Sequence, residues 1–273
     1  MTEEELIAST DAPATVDSLC RDLERLGVEN GSTLLVHSSL SALGWVAGGP
    51  AAVVLALERC LGEDGTLVMP THSSDLSGPS GWRNPPVPDS WWETIRQHTP
   101  AYEPDLTPTR GMGAIPECFR KQSGVVRSGH PQYSFAARGP HADAVTRNHS
   151  LAFPLGEGSP LARIYDLDGY VLLLGVDHGS NTSLHLAEYR ARFRGKRTLT
   201  LGAPVLVDGA RTWLTFEDID LNESDFARLG DEFEEATGAV VVGRVALATA
   251  RLMRQRPLVD FAVSWMERFR RLR

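Results

Sequence analysis

Residues 15–70 read TVDSLCRDLERLGVENGSTLLVHSSLSALGWVAGGPAAVVLALERCLGEDGTLVMP, and the periodicity of this stretch decides the fold class. Val16, Leu19, Cys20, Leu23 and Leu26 recur at three- and four-residue spacing, and Gly27 follows them. That pattern predicts an amphipathic helix from Thr15 to Leu26. Thr33-Leu34-Leu35-Val36 is a continuous apolar run, as in a strand buried on both faces. Pro50 opens a second helix that ends at Leu61, with Gly62 just past it. Thr66-Leu67-Val68-Met69 is a second buried strand, stopped by Pro70. Helix, strand, helix, strand predicts a parallel sheet covered by helices. Such sheets bind ligands at the carboxyl ends of their strands. The loops that begin at His37 and Thr71 are therefore the first candidates for a site.

Working outward, residues 73–110 break the pattern, with Trp82, Trp91, Trp92, Tyr102 and seven prolines. One short helix, about Ser90 to Gln97, is expected within it. An insertion of this length reads as a lid or cleft wall, or else as an irregular surface excursion. Leu172 to Val176 is a third buried strand, and a helix begins near Thr182. Asp208-Gly209 between two apolar runs predicts a hairpin. Val240 to Val242 reads as a further strand. Helices from about Arg244 to Gln255 and from Pro257 to Arg270 complete the reading. Neither an internal repeat nor a low-complexity linker divides the chain.

Composition narrows the function classes. The formal net charge of −8 argues against general nucleic-acid binding and suits cationic ligands. No run of eighteen apolar residues exists, so no membrane span is expected. The start, MTEEELIAST, is acidic where a secretory signal is basic, which makes the cytoplasm the expected compartment. Cys20, Cys60 and Cys118 form no CxxC, so neither a disulfide framework nor a zinc ribbon is expected; Cys20 and Cys60 read as small buried hydrophobes. Arg268, Arg270, Arg271 and Arg273 read as a solvated helix end.

Four clusters could carry chemistry. In NTSLHLAE (181–188), Asn181 or Thr182 can cap a helix whose first turn holds His185. Glu188 lies three residues on, along the same face, where a carboxylate can fix one imidazole tautomer. The helix N-terminus favours the neutral ring. Together these suit a general base, and the alternative is a surface His–Glu pair. His178 is close enough in sequence to suggest a metal set with His185 and Glu188, but the spacing matches no zinc motif. His37-Ser38-Ser39-Leu40-Ser41 can wrap an anion such as a pyrophosphate, or be only a loop. Thr107-Pro108-Thr109-Arg110-Gly111-Met112-Gly113 presents an arginine suited to a phosphate or carboxylate, or to tying down its own loop. Asp75 and Glu103, among aromatic residues, could line a pocket for a polycation.

Seven segments in order resemble the aminoglycoside 3-N-acetyltransferase family. They are VHSSLSALGW (36–45), GTLVMPTHSSDLS (65–77), PPVPDSWW (85–92), TPTRGMGAIPE (107–117), RSGHPQYSFAARG (127–139), SPLARIYDLDGYVLLLGV (159–176) and NTSLHLAEYRA (181–191). The resemblance implies one domain over 1–273, with 73–110 as its loop-rich lid. Its fold would be a three-layer α-β-α sandwich with a largely parallel sheet and a smaller hairpin subdomain, distinct from the GNAT acetyltransferase fold. The co-substrate would be acetyl-coenzyme A, with no metal. His37, Ser38, Ser39, Leu40 and Ser41 would hold its pantetheine and pyrophosphate. Thr71, Ser73, Arg110, Met112 and Gly113 would line the same cleft, and Ser134 and Phe135 would lie by the thioester. His185 would be the general base oriented by Glu188, and Asp75 and Glu103 would face a cationic amino sugar. Such an enzyme would act as a monomer or homodimer. A serine- or metal-dependent amidohydrolase, a non-catalytic coenzyme A module and transfer to another small amine are the competing readings.

Overall fold

The structure is a computed structural model that describes residues 2–270. In chain order its helices and strands are α1 (Glu3–Ala8), α2 (Val16–Leu26), β1 (Thr33–Ser38), α3 (Gly49–Leu61), β2 (Thr66–Pro70), α4 (Trp92–His98), α5 (Ala114–Phe119), β3 (Val126–Arg127) and β4 (Phe135–Arg138). There follow α6 (Ala142–Thr146), α7 (Pro160–Asp166), β5 (Tyr170–Leu174), α8 (Ser183–Arg190), β6 (Thr198–Val207), β7 (Ala210–Ile219), α9 (Phe226–Thr237), β8 (Val240–Val245), β9 (Ala248–Arg254) and α10 (Gln255–Phe269).

The four elements read from residues 15–70 form as expected. Thr15 caps α2 through a reciprocal capping box with Ser18, and Gly27 ends it at φ 101°, a conformation that costs glycine little. β1 and β2 pair in parallel, Leu34 opposite Leu67, and β1 pairs in parallel with β5, Val36 opposite Leu172. Among the described residues the sheet order is β3-β4-β2-β1-β5-β9-β8. Only the central β2-β1-β5 is parallel. The expectation of a largely parallel sheet holds there, whereas both flanks are antiparallel, β4 on β2 and β9 on β5. Residues 128–134 join β3 to β4 and residues 246–247 join β8 to β9, connections too short for the crossover that parallel pairing needs.

Alternate residues of β1 face opposite cores. Leu34 and Val36 join α2, α3 and α5. Leu35 joins α6, α7, α8, α9 and α10. Each buried leucine contributes roughly 1.5–3 kcal/mol. β6 and β7 make a separate hairpin, closed by Asp208 (φ 50°) and Gly209 (φ 78°), the turn expected from the sequence. None of the described helices is long and apolar enough to cross a membrane.

Two sequence expectations fail. The helix expected over 244–255 is the β8–β9 hairpin, with Ala246 in the left-handed turn at φ 48°. Its alanines and arginines favour a helix locally, but Ala248, Ala250 and Leu252 are buried in alternation, and pairing with β5 overrides the propensity. Arg270, expected in solvent, is only 7% exposed. It donates to Glu188 Oε1 (2.6 Å) and to both carboxylate oxygens of Asp225 (2.6 and 2.9 Å), so it joins α10 to α8 and to the loop before α9. Arg268 is exposed as expected, and Arg271 and Arg273 lie outside the described residues.

The segment 73–110 contains α4 close to the expected short helix. Its far end is anchored: Tyr102 is buried, donates to Ser128 O (2.8 Å) and receives the Arg127 guanidinium over its ring at 5.2 Å.

Two outcomes follow. Replacing Arg270 with Met leaves the buried Glu188 carboxylate without its cation, and this lowers unfolding free energy by about 3–5 kcal/mol. Urea denaturation measures it, and a loss below about 1 kcal/mol contradicts the network. Acid should also destabilise the fold through its neutral histidines. Burial pushes His37 and His130 down to about 3 and His149 down to about 4. Unfolded imidazole protonates near pH ~6.5. The unfolded chain thus binds more protons between these values, and stability, complete above about 6.5, falls as pH drops toward 3. Tm at pH 5 is therefore lower than at pH 7.5. His130→Asn keeps an acceptor for the N–H groups of Gln132 and Tyr133 and makes that slope shallower.

Candidate active site

A cavity of ≈ 260 Å³ opens at the carboxyl ends of the three parallel strands. Its wall includes His37 and Ser38 from β1, Pro70 from β2, Gly111 and Met112 from the following loop, and Val176, Ser180 and Thr182 from the connection between β5 and α8. After β1 the chain crosses to β2 on one side, while β5 pairs on the other. That divergence leaves the crevice in which open α/β sheets bind ligands. A larger depression of ≈ 730 Å³ lies between α9 and α10, around Glu232, Phe261 and Trp265. Convergent polar groups mark a site better than volume does, and those lie at the smaller cavity.

The structure brings part of the expected cofactor loop together. His37 is 5% exposed. Ser39 and Leu40 are half-buried and Ser41 is exposed. The hydroxyls of Ser39 and Ser41 lie 3.2 Å apart, and Leu40–Leu43 form a single 3₁₀ turn. A Cβ at Gly113, which sits at φ 85°, would lie 3.9 Å from Ser38 O, so the 110–113 loop runs beside the serine loop.

Other expected contacts take a different form. Thr71, Ser73 and Ser134 are buried in a web around Arg127. Arg127 donates to Thr71 O (2.6 Å), Thr71 Oγ1 (3.2 Å), Ser134 Oγ (3.1 Å) and Ser73 Oγ (2.8 Å). Ser134 in turn donates to Thr71 O (2.8 Å), and Ser73 to Pro108 O (2.8 Å). Phe135 is fully buried, with His72 edge-on at 5.3 Å. In this arrangement these groups hold loops in place: the hydroxyls of Thr71, Ser73 and Ser134 are bonded within the web, and the Phe135 ring is buried. Arg110 pairs with Asp75 at 3.3 Å, both more than half exposed, so two residues expected on different substrates meet in one solvated pair. Such pairs contribute little stability. Glu103 is exposed on its own turn.

The sharpest geometry lies on α8. Asn181 Oδ1 accepts from Ser183 N (3.2 Å), which fixes the helix start and puts His185 in the first turn. His185 Nδ1 is 2.7 Å from Glu188 Oε2. A carboxylate only accepts, so in the neutral ring Nδ1 carries the hydrogen and Nε2 the lone pair. Glu188 is 0% exposed. Its other oxygen receives Arg270 (2.6 Å) and the Asn222 N–H (2.9 Å). The His185 ring rests edge-on against Phe226 at 4.8 Å. A surface His–Glu pair would have neither the burial nor these partners. The neutral His37 and His72 lie near enough that the charge of His185 depresses both further, after burial itself.

His178 takes no part in a metal set with His185 and Glu188. Its ring is buried against α9, where a Cβ at Gly230 would lie 1.9 Å from it, and its Nε2 meets Glu234 at 3.0 Å. Arg127, Arg270, Asn222 and Asp225 were not legible as site residues. Arg270 alone left a trace: it extends the four-residue series Leu258, Ala262, Met266 on the buried face of α10.

Comparison with known proteins shows the family. The aminoglycoside 3-N-acetyltransferase family model matches residues 35–267. The SPbeta prophage-derived aminoglycoside N(3')-acetyltransferase-like protein YokD of Bacillus subtilis (strain 168) is 46% identical over 95% of both chains. Its crystal structure superposes with a TM-score of 0.95, over 97% of this chain and 98% of that one. The aminoglycoside N(3)-acetyltransferase VII of Streptomyces paromomycinus is 40% identical, covering 98% of this chain and 96% of its own. The solved AAC-IIIb binary complex with CoASH is 32% identical, with a TM-score of 0.85 over 96% of this chain and 99% of its own. The chain belongs to the aminoglycoside 3-N-acetyltransferase family.

Proposed function

We propose that this protein transfers the acetyl group of acetyl-coenzyme A to the 3-amino group of the 2-deoxystreptamine ring of aminoglycosides. His185 is the general base, and transfer is direct within a ternary complex. The observation that carries this reading is the His185–Glu188–Arg270 chain on a helix whose cap residue, Thr182, lines the cavity at the strand ends. The family's name and the CoASH complex of AAC-IIIb support the two substrates.

The chemistry follows from the tautomer. An amino-sugar nitrogen is mostly ammonium near neutrality and cannot attack until it loses a proton. His185 Nε2 is free to take that proton as the nitrogen nears the thioester carbon. The imidazolium so formed is stabilised through Nδ1–H by a carboxylate that cannot turn away, because Arg270 and Asn222 hold its other oxygen. Acetylation removes a positive charge that aids binding to RNA phosphates, which accounts for resistance. The HSSLS loop and the 110–113 loop form the coenzyme side, and Glu103 with the outer 73–110 segment forms the amino-sugar side. The two cores on opposite faces of the sheet support a single domain of three layers, α-β-α, with β6–β7 as a smaller subdomain.

Transfer to another small amine is a second reading, favoured by one observation: Asp75 is already engaged by Arg110, so the expected pair of free carboxylates is reduced to Glu103. A thiol-release assay against 2-deoxystreptamine drugs and simple polyamines decides between them. We expect drug-dependent release, with mass spectrometry placing the acetyl group on the 3-amine; release with polyamines alone contradicts the aminoglycoside reading. His185→Ala lowers kcat by about 10² to 10⁴ with KM little changed. An unchanged kcat removes the base. Dialysis against EDTA should leave turnover intact, and its loss would favour the metal-dependent hydrolase.

A further inference from the structure

The reaction described above needs a donor for the oxygen of the tetrahedral intermediate. Most hydroxyls near the strand ends are already committed. Thr71 and Ser134 belong to the Arg127 web, Ser73 donates to Pro108 O, and Ser39 and Ser41 face each other. Two side chains in the cavity wall are different. His37 Nε2 and Ser38 Oγ are buried and have no partner among the described residues. Buried polar groups are normally paired, so an unpaired one in a cavity wall calls for a ligand. His37 occupies the end of β1, opposite Leu173 of β5. Thr182 lies in the same wall, and its carbonyl accepts the backbone N–H of His185, so the cavity touches the turn that carries the base.

We propose that His37 is a second catalytic residue, a neutral imidazole whose N–H receives the carbonyl oxygen of the acyl thioester. This rests on the acetyl-transfer reading above. The neutral amine attacks the carbonyl carbon and forms the C–N bond. The carbonyl π pair moves to oxygen, and the oxyanion accepts a hydrogen bond from His37 Nε2–H. The C–S bond then breaks, the carbonyl re-forms and the thiolate of coenzyme A leaves. The ammonium proton has by then passed through His185 to solvent; the second proton, lost by nitrogen as the C–N bond forms, goes to His185 Nε2 and from there to the thiolate. His37 gains and loses nothing. Burial, with His185 nearby, holds its pKa down to about 3, so it stays a neutral donor even when His185 is protonated. His72 is also buried and neutral, but it is wedged edge-on between Tyr133 and Phe135, outside the cavity wall.

Infrared difference spectra of [1-¹³C]acetyl-coenzyme A bound to the full-length enzyme, without acceptor, test this donor. The thioester carbonyl band should shift to lower frequency in the wild type and return toward its solution position in His37→Ala. In steady state, His37→Ala should lower kcat by about 10² to 10³ with KM for acetyl-coenzyme A within about threefold. His37→Asn, which keeps an N–H donor, should restore part of both the shift and kcat. The shape of the pH profile of kcat should be unchanged, unlike the response to a general packing defect. No band shift in the wild type, or a His37→Ala enzyme with unchanged band and kcat, overturns the proposal. The spectra need no amine, so a shift that His37→Ala abolishes upholds His37 even where no aminoglycoside is acetylated. Acetylation of aminoglycosides by His37→Ala at the wild-type rate overturns His37 alone.

Discussion

The Glu188 carboxylate is fully buried, and the site is arranged around that fact. A charge so placed is tolerated only where donors replace the water it has lost. Three donors do so, and each comes from a different part of the chain: the His185 ring on the same helix, the Asn222 N–H from the loop after the hairpin, and Arg270 at the end of α10. One requirement of charge solvation thereby fixes a helix, a loop and the last described turn of the chain. It also decides which imidazole nitrogen can take a proton. The His–Glu pair and the surrounding fold are thus one device: the carboxylate orients the ring, and the fold keeps the carboxylate from turning.

A second hub is a guanidinium. Arg127 gathers the loop after β2, the end of the 73–110 segment through Pro104 O (3.0 Å), and Ser134 at the start of β4. The hydroxyls of Thr71, Ser73 and Ser134 accept from Arg127, and those of Ser73 and Ser134 donate to Pro108 O and Thr71 O, so this web is bonded within itself. The cavity itself is walled by the parallel strand ends, by Gly111, Met112 and Pro116, and by the turn that leads into α8 at Thr182.

Legibility in the sequence followed the range of the interactions. The helix, strand, helix, strand of residues 15–70 was readable because caps, glycine stops and apolar runs are local signals. The Asp208-Gly209 hairpin and the His185–Glu188 pair were readable for the same reason, being set by two-residue and three-residue spacing. The helix expected over 244–255 fails because local helix propensity points one way and pairing of β9 with β5 the other. Arg270 was misread because an arginine at a helix end is ordinarily solvated, and nothing local shows that it meets Glu188 82 residues away. The family resemblance carried hydroxyl and aromatic residues into the site, but only the structure shows that Thr71, Ser134 and Phe135 face inward.

The central claim concerns the position of one proton. Ring ¹⁵N NMR of the histidine-labelled protein, with His185 assigned by the signals lost in His185→Gln, measures it directly. The account predicts that the neutral ring of His185 carries its hydrogen on Nδ1, with Nε2 showing the chemical shift of an unprotonated nitrogen. A neutral ring protonated on Nε2 would place the lone pair against Glu188 and contradict the account.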